Sequence, residues 1–150
     1  MARRFRFRLQ TLLEVRQLHE REAKRRVAAK SAEIALLDGL REETAAEVLR
    51  QQDVLLAAQQ QGRLDPLALQ RGRAWVAHLR KTITLLQVQR EELSQQLKDL
   101  QARLRTARTQ TRIIEKLRAR RWHTYVHDRT RHEQAADDEL ARQLLSHEQV

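Results

Sequence analysis

Cysteine is absent from this chain, which removes disulfide frameworks and thiolate metal sites from consideration. Proline occurs once and glycine three times, so turns are few and the elements between them must be long. Five aromatics in 150 residues (Phe5, Phe7, Trp75, Trp122, Tyr125) cannot fill a compact multilayer core. No apolar run approaches the roughly 18–20 residues that a membrane helix needs. Arg3-Arg4 is followed by no hydrophobic segment, and the stretch from Leu9 to Val15 is too short and polar for a secretion signal. The chain is therefore expected to be soluble and unprocessed, and the absence of cysteine suits the cytosol. It has no glycine-rich phosphate loop and no nucleophile motif, so neither catalysis nor a cofactor or small-molecule substrate is expected.

What the chain does have is charge and a repeat. Charged residues make up 33% of it, enough to rule out a large apolar interior and to suit amphipathic helices. Val76, Leu79, Ile83, Leu86, Arg90, Leu93, Leu97, Leu100, Leu104, Ala107, Thr111 and Ile114 follow one another in steps of three and four. Ten of these twelve positions are apolar; Arg90 and Thr111 are polar seam positions of the kind that set register. Such a 3.5-residue repeat keeps one narrow seam facing a partner helix in a left-handed supercoil.

The strong break in the helical pattern is Gln59-Gln60-Gln61-Gly62-Arg63-Leu64-Asp65-Pro66. Gly62 suits a helix C-cap, Asp65 an N-cap and Pro66 the first turn of a new helix. Gly39 and Gly72 stand alone inside helical patterns and need not end them. An all-α single domain, 1–150, follows: a helix over about 4–60, a turn over about 61–66 and a helix over about 66–147. The first helix carries its own stripe of Leu13, Val27, Ile34, Val48 and Leu55, interrupted by Glu20 and Arg41, with Ala23, Leu37 and Ala58 at the facing position.

Two such helices joined by a short turn close into a long two-helix antiparallel coiled-coil hairpin, unless helices from two chains pair instead. At 1.5 Å per residue it would be roughly 80–90 Å long. Opposed residue numbers should then sum to about 128. Leu55 falls near Trp75, Val48 near Leu79 and Leu13 near Ile114, while Phe5 and Phe7 fall beside Trp122 and Tyr125. The tail after about residue 126 has no partner.

The net charge of +10 is unevenly placed. Residues 1–30 hold ten basic and three acidic side chains, and residues 103–132 hold ten and two. Folding the chain back brings these two blocks together with the aromatics. Arg103, Arg105, Arg108, Arg112, Arg118, Arg120 and Arg121 face few acids, which invites an acidic partner surface. Nucleic acid is the competing partner. Against it, the basic residues do not form a basic region leading into a parallel zipper, and the aromatics fall in the seam rather than where bases could stack. His123 and His127 are four apart but lack a third ligand, so no metal site is expected.

The opening Phe5-Arg6-Phe7-Arg8-Leu9-Gln10-Thr11-Leu12-Leu13-Glu14-Val15-Arg16 resembles the start of the flagellar export FliJ family, where F-x-F-x-L-x-x-L-L-x-x-R leads into a Glu- and Ala-containing helix. Glu115-Lys116-Leu117-Arg118 through Tyr125 resembles the family's E-K-L-x-x-R-x-x-x-x-Y segment, and Asp137-Asp138-Glu139 its closing acidic region. The YscO-like stalk proteins of virulence-type secretion are similar in architecture. The resemblance implies a cytoplasmic component of the flagellar type III export apparatus, peripherally associated with the inner membrane. It would resemble the gamma subunit of ATP synthase, bind and stimulate a hexameric export ATPase, and engage the export gate protein FlhA and export chaperones. On this resemblance Phe5, Phe7, Leu9, Leu12, Leu13, Arg16, Arg118, Arg120, Arg121 and Tyr125 would meet the ATPase. Trp75, Leu79, Thr82 and Ile83 would meet the gate.

Overall fold

The computed structural model describes residues 4–62 and 65–147; Arg3 and the middle of the turn, Arg63 and Leu64, lie outside them. Two helices account for most of the described chain: α1, Gln10–Gln60, and α2, Pro66–His147. They pack antiparallel, because contacts between them join residues of steadily opposed number: Arg16 with Gln110, Asp38 with Arg90, Leu55 with Gly72. All twelve positions of the α2 repeat are buried or half-buried. The packing divides the chain into two units. One is Glu22–Leu104, and the other joins the residues up to Arg21 with those from Arg105 onward.

In the Glu22–Leu104 unit the turn is built from local chemistry. The last amides of α1 are satisfied by tightening: Gln61 N donates to Ala57 O at 3.1 Å and Gly62 N to Gln59 O at 3.4 Å. Gly62 has φ 69°, left-handed backbone that a Cβ would disfavour. Asp65 Oδ1 accepts from Leu67 N at 3.0 Å, capping α2, while Pro66 occupies the first turn, where no amide donor is needed. Beyond the turn, Val48, Val76 and Leu79 are buried together, with Leu55 and Ile83 packed against them. Leu55 rests on Gly72: a Cβ there would lie 2.6 Å from Leu55 Cδ2. Further along, Arg90 Nε donates to Asp38 Oδ1 at 2.6 Å, so the charged seam position is answered from α1. Leu93, Leu97 and Leu100 are only half-buried.

In the terminal unit Leu13, Thr111 and Ile114 are buried. The Thr111 hydroxyl lies 3.0 Å from Ala107 O and 3.3 Å from Arg16 O, which it can share as a donor. Arg16 Nη1 donates to Gln110 Oε1 at 2.6 Å, and Arg108 lies 3.7 Å from Glu20.

Helix α1 begins at Gln10, not near Arg4. Residues 4–7 are not helical, and a turn at Arg8–Leu9 leads in, with Gln10 N donating to Phe7 O at 3.2 Å. The cause is the Arg-Phe-Arg-Phe-Arg alternation. Phe5 and Phe7 are half-buried while Arg4, Arg6 and Arg8 are exposed, a two-residue period. A helix would turn the two phenylalanines to roughly opposite sides, and one would lose its packing.

From Val126 to His147, α2 continues with every residue exposed. Among the described residues no helix is long and apolar enough to cross a membrane.

Candidate functional site: the basic aromatic surface of the terminal unit

The site begins with Phe5. Its ring meets Trp122 edge-on at 5.1 Å and 83°, and Tyr125 at 5.4 Å and 53°; Trp122 and Tyr125 lie 5.7 Å apart. Edge-to-face and tilted pairs at these separations are the favourable aromatic arrangements. The cluster therefore pins residues 4–9 across the last turns of the paired α2. Trp122 nevertheless stays 47% exposed, so this packing leaves half of its surface for another molecule.

An open groove lies on one side of this strap, lined by Phe5, Phe7, Arg8, Leu9, Leu117, Arg121, Thr124, Tyr125 and Asp128. A second hollow, on the side of Leu13 and Gln17, is lined by Glu115, Arg118 and Trp122. Cations ring both. Among the described residues Arg4, Arg6, Arg8, Arg112, Arg118, Arg120 and Arg121 make no ion pair. Arg108 is partnered, by Glu20, and Arg129 by Glu133 at 2.8 Å. That carboxylate, together with the Tyr125 hydroxyl, holds the Arg129 guanidinium above its ordinary pKa. Unpaired guanidiniums grouped on one surface repel one another and favour a carboxylate- or phosphate-bearing partner.

The residues expected to meet the ATPase divide by burial. Leu9 and Leu12 are exposed at 37% and 39%, Arg118, Arg120 and Arg121 are exposed, and Phe5, Phe7 and Tyr125 are half-buried. Leu13 is not on the surface: at 3% exposure it holds the two helices together. Arg16 is half-buried and bonded to Gln110. The residues expected to meet the gate also separate. Trp75 is 46% exposed and stacks on His78 at 5.4 Å, and Thr82 is half-buried with its hydroxyl donating to His78 O at 3.1 Å. Leu79 is buried in the Val48–Val76 cluster and so belongs to the seam, while Ile83 packs against that cluster and is half-buried. The sequence reading did not include Arg4, Arg6, Arg8, Leu117 and Thr124. The period-two alternation was the signal that could have placed the three arginines.

Among the described residues no three His, Cys, Asp or Glu side chains are placed to hold a metal ion. The fold is an all-α helical hairpin, and its terminal unit presents a cationic, aromatic face. Over residues 5–149 the chain matches the family described as Flagellar FliJ protein, and it belongs to that family. Membership places it among the components of the flagellar export apparatus. No curated protein and no solved structure matches the chain.

Proposed function

We propose that this chain is a stalk-like, non-enzymatic component of the flagellar export apparatus that docks the basic aromatic surface of its terminal unit against the export ATPase hexamer and stimulates hydrolysis there. The carrying observation is the convergence of Arg4, Arg6, Arg8, Arg118 and Arg121, without ion pairs among the described residues, around the half-exposed Phe5–Trp122–Tyr125 cluster. An acidic lining in the partner would neutralise those guanidiniums, and the exposed edges of Trp122, Leu9 and Leu12 would supply apolar contact. Leu13 and Arg16 act by keeping the two helices in register. The exposed Trp75, with Thr82 beside it, is the part of the other unit suited to the export gate protein FlhA, and export chaperones are further partners.

The test is hydrolysis by the same organism's export ATPase with and without this protein. Wild type stimulates; Arg118→Glu with Arg121→Glu leaves helicity intact and abolishes stimulation. Unchanged stimulation by that variant removes this surface from the reading. The stimulation should also weaken with rising salt, as contacts between exposed charges do.

A further inference from the structure

The unpaired part of α2 is amphipathic in its own right. At about 100° per residue, Trp122, Val126, Arg129, Glu133, Ala136, Leu140 and Leu144 fall within an arc of about 80°. The four large apolar members are 47%, 40%, 57% and 69% exposed, for Trp122, Val126, Leu140 and Leu144 in that order. This stripe is distinct from the seam, which ends with the hairpin. Its centre is polar but internally satisfied, because Arg129 Nε bonds Glu133 Oε1 at 2.8 Å.

Charge changes sign along the same segment. Residues 118–131 hold five arginines and one aspartate, while residues 133–147 hold four acids and one arginine. A helix with that polarity complements its own reverse.

We propose that this segment pairs antiparallel with the same segment of a second copy of the chain, about a twofold axis at Glu133. In that register Trp122 faces Leu144 of the second copy, Val126 faces Leu140, and Arg129 faces Asp137. Each contact occurs twice, as an isologous interface requires. A parallel pairing would set arginines on arginines and acids on acids. At the axis the two Glu133 carboxylates arrive with their own Arg129 partners, so four charges alternate. The pairing covers Trp122 and lays Leu144 and Leu145 of the second copy over Trp122 and beside Arg121, so the paired form withholds the surface proposed above for the ATPase. It does not rest on that reading, and its test needs no other protein.

The test uses the full chain. Sedimentation equilibrium from low micromolar concentrations upward should give a mass rising toward twice 17.8 kDa. Leu140→Asp with Leu144→Asp should return it to the single-chain mass with unchanged helicity, since neither side chain packs within one chain. The absence of cysteine makes a second measurement clean. Glu133→Cys should form an intermolecular disulfide under mild oxidation, and Asp138→Cys, on the opposite side of the helix, should not. A single-chain mass at every concentration overturns the proposal and leaves the stripe to a different partner or to solvent. So does a dimer that survives the double aspartate variant, or one that crosslinks equally at both cysteines.

Discussion

Gly39 and Gly72 look alike in the sequence, each a lone glycine within a helix, yet they do different work. Nothing lies within 4 Å of a Cβ built at Gly39, whereas one at Gly72 meets Leu55 Cδ2 at 2.6 Å. Gly39→Ala should therefore stabilise the protein by about 1 kcal/mol, read from urea unfolding. Gly72→Ala should return less or destabilise, because Leu55 has to leave the Val48–Val76 cluster to make room. Asp38 carries a comparable asymmetry with Arg90. Asp38→Leu alone should lower the thermal midpoint by stranding the half-buried guanidinium, and adding Arg90→Leu should restore it, a reversal that a double-mutant cycle reads directly. Glu47 supplies a pH dependence. Its carboxyl is held below the ordinary 4.5 by hydrogen bonds from Gln51 and then Arg50. A depressed folded-state pKa contributes stability that is present above 4.5 and lost as pH falls through the lower, folded value. Thermal melts from pH 5 downward should lose part of their acid slope in Glu47→Gln.

At the scale of elements, the heptad arithmetic carried far. Steps of three and four from Val76 to Ile114 marked which residues α2 would bury, because an antiparallel partner leaves only one stripe in contact. The constant sum of opposed numbers also sets Phe5 beside Trp122 and Tyr125, where its ring packs. Two things were not legible. Burial along the expected gate face is one: Leu79 is buried in the seam and Thr82 and Ile83 are half-buried, so of the four residues expected there Trp75 alone is exposed. The start of α1 was misplaced because a helical period was extended through residues whose apolar period is two. The same sum sets Arg108 opposite Glu20, its observed partner, and Arg112 opposite Arg16, so which of these two arginines meets an acid was legible. The aromatic strap has an energetic consequence. Phe5→Ala should cost about 1–2 kcal/mol, from lost burial and two ring pairs. The loss should show as faster amide exchange confined to the first turns of α1.

For the molecule as a whole, the two units differ in what they ask of a partner. The Glu22–Leu104 unit closes its seam near the turn with aliphatic side chains and one answered charge, and its exposed aromatic is a single tryptophan. The terminal unit leaves Arg118, Arg120 and Arg121 without ion pairs among the described residues, and its α2 runs on past the paired region, so most of its surface chemistry is directed outward. The two tryptophans divide evenly between these units: Trp75 against an imidazole, Trp122 against a phenyl and a phenol ring. Each unit thus contains its own fluorophore. Trp122→Phe should leave a spectrum that reports only the turn-bearing unit, and Trp75→Phe one that reports only the terminal unit. The molecule can therefore be watched by light in two places without attaching a dye.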